Sequence, residues 1–118
     1  MSETSDAQIL IDIDKWKKSA AYYLVDDEKQ MGRVILVTVG CEWYTLREIE
    51  KLIAGKYPEH MDTPAAISAR LREVSPYKHG LVKQKFLKME NKKQVWRYRL
   101  VPALPVREVA ERVGIFYA

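Results

Sequence analysis

The side chains of this chain that could do chemistry on a partner are cations. Arg70 and Arg72 close the run TPAAISARLREV, and Lys78, Lys83, Lys85, Lys88, Lys92, Lys93, Arg97 and Arg99 follow before Val101. Guanidinium and ammonium groups bind phosphate through charge-assisted hydrogen bonds, and an arginine can also grip a guanine edge with two of them. Lys78–Arg99 sets eight cations against Glu90 alone, whereas Met1–Asp14 carries Glu3, Asp6, Asp12 and Asp14 and no basic residue. The net charge of +4 hides that split. A polyanion would be drawn to the second region and repelled by the first. The plainer alternative is that these lysines keep a hairpin soluble and guard its edges.

Catalytic chemistry has no comparable candidates. His60 and His79 are the only histidines, and neither stands at metal-ligand spacing with Cys41 or with the other. The glycines are isolated from one another, so no phosphate-cradling loop is present. No Ser-His-Asp or Cys-His grouping emerges, and Asp26-Asp27 belong to a solvated acidic run. The expectation is therefore no enzyme activity, no metal and no cofactor. A single cysteine, Cys41, excludes an internal disulfide and fits a reducing cytoplasm. The N-terminus lacks the pattern of a secretory signal, and the apolar run Val34–Val39 is too short to cross a bilayer, so no membrane partner is expected. A chain of 118 residues, 47% hydrophobic, is expected to be one globular domain, or a domain with short extensions, and can bury a core unaided.

The elements that must position the cations can be read from period and punctuation. Ser5 and Gln8 have capping-box spacing, and Ile9, Ile13, Trp16, Ala20 and Tyr23 recur as an amphipathic helical stripe. Ile11 falls off that stripe, which leaves open a shorter helix beginning at Asp14. Asp26, Asp27 and Glu28 suit a helix start. Glu28–Val39 is divided: VILVTV has strand propensity, yet Gln30, Val34, Val37 and Cys41 fit a helix and Gly40 a terminator. Trp43 and Tyr44 read as a short strand or a packing plug. Thr45 and Glu48 form a capping box for a helix to Ala54 with Leu46, Ile49, Leu52 and Ile53 on one face, stopped by Gly55 and by Tyr57-Pro58.

Thr63 caps the next helix and Pro64 fills its first turn. Ile67, Leu71 and Val74 face inward. Ala65, Ser68, Ala69 and Arg72 lie opposite, small residues plus one long cation, which would let a backbone approach a groove. A plain surface helix would have the same composition. Ser75-Pro76 and Gly80 mark a loop. Leu81–Met89 and Gln94–Val101 read as strands joined at Asn91-Lys92, with Trp96, Tyr98 and Leu100 toward the core and Val95, Arg97, Arg99 and Val101 on a positive face. Val106, Val109, Ala110 and Val113 outline a last short helix, ended by Gly114 and the tail Ile115-Phe116-Tyr117.

TLREI, then ISARLREV, then HGLVKQK, then VWRYRLV resembles the winged helix-turn-helix domain common in bacteriophage and mobile-element proteins. The resemblance covers roughly residues 30 to 101. It implies an α+β, mostly α fold: a three-helix core plus a two-stranded β-wing, here with extra N- and C-terminal helices. The winged domain would then occupy 26–101, and the resemblance does not account for the N-terminal helical extension over 1–25 or the C-terminal helix and tail over 102–118. It makes Glu28–Val39 the first helix and places the recognition helix on Ser68, Ala69, Arg70, Leu71 and Arg72. It has Trp96 and Tyr98 pack the wing on the helices. One departure stands out: the link Gly55–Asp62 is longer than the family's tight turn and could re-angle the second motif helix.

The function so implied is double-stranded DNA binding by a regulator or accessory factor of a phage or mobile element. Thr63, Ala65, Ser68, Ala69 and Arg72 would face the major groove, with Arg70 and Lys78 on phosphates. Lys83, Lys85, Lys88, Lys92, Lys93, Arg97 and Arg99 would supply the wing's backbone contacts. A homodimer would double the site, with the Ile115–Tyr117 tail as one seam; the plainer role of that tail is to pack on its own domain. The alternative is a winged-helix protein-interaction module without DNA binding, suited to the long link and to Trp16, Tyr22 and Tyr23.

Overall fold

The computed structural model of the protein describes residues 5–103. The expected C-terminal helix and the Ile115–Tyr117 tail lie outside the described residues. Six helices and a two-stranded antiparallel sheet make an α+β architecture among the described residues: α1 (Asp6–Trp16), α2 (Ala20–Tyr23), α3 (Gln30–Thr38), α4 (Leu46–Lys56), α5 (Pro64–Glu73), α6 (Pro76–His79), β1 (Leu81–Glu90) and β2 (Lys93–Pro102). No helix among them is long and apolar enough to cross a membrane.

The Ile9–Tyr23 stripe does not form one helix. α1 is capped by Ser5, whose side chain accepts from the Gln8 backbone N–H, and it ends at Trp16; the chain resumes as the single turn α2, leaving Tyr23 exposed. The extended ILIDI alternative is not observed. Ile9 and Ile13 pack with Val101 into a satellite cluster, while Trp16 enters the main core and its Nε1–H donates to the His79 carbonyl at 2.7 Å. The expected extension is thus stapled to the base of the hairpin.

The divided segment is helical. In α3, Val34 and Ile35 are fully buried and Thr38 joins them one turn on. Burying a Val or Ile side chain contributes about 1.5–3 kcal/mol, against at most ~0.7 kcal/mol per residue lost to poor helix propensity, so packing wins. The helix begins at Gln30 rather than at the acids; Asp26 accepts from the Glu28 N–H and shapes the turn before it. Gly32 lies so close to the Asp26 backbone that no Cβ fits there.

Residues 39–44 return to the sheet: Val39 and Tyr44 bridge Leu100 and Tyr98 of β2, with the Tyr44 and Tyr98 backbones exchanging bonds of 2.9 and 2.8 Å. α4 has the full Thr45–Glu48 capping box and buries Ile49 and Ile53, while Leu52 remains 41% exposed. Gly55 does not stop it. The helix runs to Lys56 and yields at Tyr57, where Pro58 disfavours helical backbone. Ser75-Pro76 opens the short helix α6 instead of a loop, and Gly80, at φ 69°, ends it in the left-handed region. Core residues Trp16, Val34, Ile35, Ile49, Ile53, Ile67, Leu71, Leu81 and Leu100 join α1, α3, α4, α5 and the hairpin base into one unit.

Candidate nucleic-acid interface

α5 is held by its cap, its inward stripe and the residue before it. The Thr63 hydroxyl accepts from the Ala66 N–H at 3.2 Å, and Ile67 and Leu71 are buried against the core. Asp62 completes the anchoring. Its carboxylate accepts from Arg33 Nε at 2.8 Å and from Arg33 Nη2 at 3.0 Å, and also from Gln30 Nε2 at 2.9 Å, with Arg33 donating further to the Asp27 carbonyl. Both partners are buried, and Arg33 beside Asp62 holds its carboxyl below the usual range. The long Gly55–Asp62 link is therefore tied to α3 immediately before α5 starts.

With that anchoring, α5 presents Ala65 and Arg72 exposed and Ser68 and Ala69 half-buried on its outer side. Arg70 turns along the helix to Glu73 at 2.7 Å. That pair is half-exposed, so it is worth only a few tenths of a kcal/mol to about 1 kcal/mol, and a phosphate could displace it.

The hairpin register, Lys83↔Leu100, Lys85↔Tyr98 and Leu87↔Trp96, fixes which side chains share a face. Leu81 and Leu100 enter the core, and Lys83, Lys85, Tyr98 and Trp96 continue the same face outward. The Lys83 ammonium is pushed below its ordinary pKa, first by partial burial and then by the nearby charges of Lys85 and Arg72. Leu81 and Leu100 at the base of this face pack in one core with Ile67 and Leu71 of α5, so the lysines continue outward from the α5 contact. Among the described residues none of Arg72, Lys83 and Lys85 enters an ion pair.

The other face differs from the positive face expected of it. Arg99 is 2% exposed: it donates to Gln84 Oε1 at 2.7 Å and to the Cys41 carbonyl at 3.1 Å, and stacks on Trp43 at 4.2 Å. Trp43 in turn meets Phe86 edge-on at 4.7 Å. Arg97 is held between Glu48 and Glu90, each at 2.9 Å. Trp43, Gln84 and the Cys41 carbonyl thus enclose Arg99, with Asp6 at 3.8 Å, and two carboxylates engage the half-buried Arg97. Trp96 also departs from its expected packing role, with 42% of its surface exposed.

Lys88 and Lys93 are exposed on the Arg97 face, and Lys92 stands in the two-residue turn with Asn91, at φ 65° and 50° respectively. Lys78, on α6, lines a groove with Ala21, Leu24 and Met31. The Arg33–Asp62 pair and the Trp43–Arg99 stack had no sequence signal, because their partners are distant in the chain. The exposed Trp96 could have been suspected from its place near the tip of the ribbon. Among the described residues no three His, Cys, Asp or Glu side chains converge to hold a metal ion. Comparison with protein-family models, curated proteins and solved structures found no match to this chain.

Proposed function

We propose that the chain is a winged-helix protein that binds double-stranded DNA, as a transcriptional regulator or accessory factor of a phage or mobile element. α3, α4 and α5 stand for the three core helices, the bridge at Tyr44 for a short third strand, and β1–β2 for the wing. α5 enters the major groove. Ala65, Ser68 and Ala69 permit close approach, and Arg72 reaches base edges. Lys83, Lys85 and Lys92 meet phosphates on one side of the wing, with Lys88 and Lys93 available on the other. Arg70 exchanges Glu73 for a phosphate, while Arg97 and Arg99 brace the wing from within.

The observation that carries this reading is that Lys83 and Lys85 continue outward the hairpin face that packs on α5 at its base, and that among the described residues neither they nor Arg72 of α5 enters an ion pair. Fluorescence anisotropy with random-sequence duplex at two salt concentrations tests it: affinity falls steeply as salt rises if phosphates are the ligand. Absence of duplex binding at low salt would reject the reading. A protein-interaction role is favoured by a different observation, the 76% and 79% exposure of Tyr23 and Leu24 beside Asp26 and Asp27. Pull-down with the Tyr23→Ser, Leu24→Ser variant as control tests that second reading; partners captured equally by both proteins would oppose it.

A further inference from the structure

We infer that the outer half of the hairpin is a stacking platform for unpaired bases, so that the preferred ligand is a duplex with a single-stranded end rather than uninterrupted duplex. This deepens the DNA-binding reading and rests on it. Past Lys83 and Lys85, the face adjoining α5 becomes apolar, with Leu87 42%, Met89 61% and Trp96 42% exposed. Phosphate contacts make no use of such a strip, and leaving it in water forgoes its burial.

The cations beside it give its chemistry. The Lys85 ammonium sits over the Trp96 ring at 4.9 Å, and the Lys83 ammonium over the Tyr98 ring at 5.9 Å. Each aromatic face is therefore capped by a charge that has no carboxylate partner among the described residues. A nucleotide satisfies both groups at once. The lysine swings to the phosphate, and the base takes its place on the indole. Bases within an intact duplex keep their faces stacked on one another, whereas those of a strand end offer them freely. From the Leu81 and Leu100 contact with α5 outward, the face runs to Lys83, Lys85 and then Trp96, so the paired segment would lie on α5 and the unpaired segment along the wing.

The test compares a blunt random-sequence duplex with the same duplex carrying a single-stranded extension, at one salt concentration, by anisotropy. Wild type is expected to bind the extended duplex about 10-fold more tightly. Trp96→Ala should lose that gain and keep its blunt-duplex affinity, and Trp96→Phe should retain most of it. Circular dichroism establishes that each variant is folded. A second reading is indole fluorescence, quenched by the extended duplex in wild type and less so in Trp96→Phe. Equal affinity for both duplexes overturns the platform and leaves duplex binding standing. A gain that survives in Trp96→Ala also overturns it. Failure to bind either DNA at low salt overturns the DNA-binding reading itself.

Discussion

Replacing Asp62 by Ala leaves the Arg33 guanidinium buried without its counter-ion. The structure sets the size of the effect. Two charge-assisted bonds, at 2.8 and 3.0 Å, and a third from Gln30 at 2.9 Å are lost, and Arg33 keeps only the Asp27 carbonyl. With both side chains at 6% exposure or less, solvent cannot take their place. Breaking a buried pair in this way costs about 3–5 kcal/mol, a large part of the roughly 5–15 kcal/mol that holds a domain folded. At the usual unfolding entropy per residue that is a fall in Tm of roughly 12–20 °C. Urea denaturation of wild type, Asp62→Ala, Arg33→Met and the Arg33→Met, Asp62→Leu double variant measures it. The double variant should recover most of the loss, because it leaves no unpaired charge. Because Asp62 directly precedes the α5 cap, Asp62→Ala should also weaken any function of α5 at temperatures where the chain is still folded. A cost below about 1 kcal/mol for Asp62→Ala would refute the claim that this pair fixes α5.

Gly32→Ala should unfold the chain or lower its stability by several kcal/mol on thermal denaturation, since an added Cβ meets the Asp26 backbone. Thr38→Val should raise stability by about 1 kcal/mol in urea, because the Thr38 hydroxyl is buried with no hydrogen-bond partner among the described residues. His79 Nδ1 accepts from the Ser75 N–H at 3.0 Å, and burial first, then Lys78, lower its pKa. Its stabilising contribution is therefore complete above the unfolded-state value near ~6.5 and is lost as pH falls through the lower folded value; a urea midpoint series across that window, flattened in His79→Gln, measures it. Lys92→Gly should leave the fold intact or slightly more stable, since glycine adopts the positive φ of that turn freely, while lowering the salt dependence of duplex binding by about one phosphate.

Much of the fold could be read in the sequence because its signals are local. The Thr45–Glu48 box, the Thr63-Pro64 start and the Asn91-Lys92 turn each need only near neighbours, and all appear as expected. The spacing of Gln30, Val34, Val37 and Cys41 suggested the helix, but the residues whose burial outweighs β-branching are Val34, Ile35 and Thr38. What escaped was long-range. Nothing near Arg99 shows that Trp43 and Cys41 will enclose it, or that Arg97 will meet Glu48 from another element. The alternation of β2 appears as expected, but the pairing of Arg97 and the burial of Arg99 depend on partners from distant elements. On the arginine face Arg99 became internal and Arg97 paired with carboxylates, while the unpaired Lys83 and Lys85 lie on the core face beyond the core. Gly55 misled because a helix can run through glycine when its capping box and buried Ile53 hold it.

The slope of duplex affinity against salt, measured for wild type and for the Lys83→Gln, Lys85→Gln variant, tests the lysine face most directly. If both lysines meet phosphates, removing them lowers the slope by about two units while the fold is kept. An unchanged slope in the folded variant would contradict the assignment of that face to DNA.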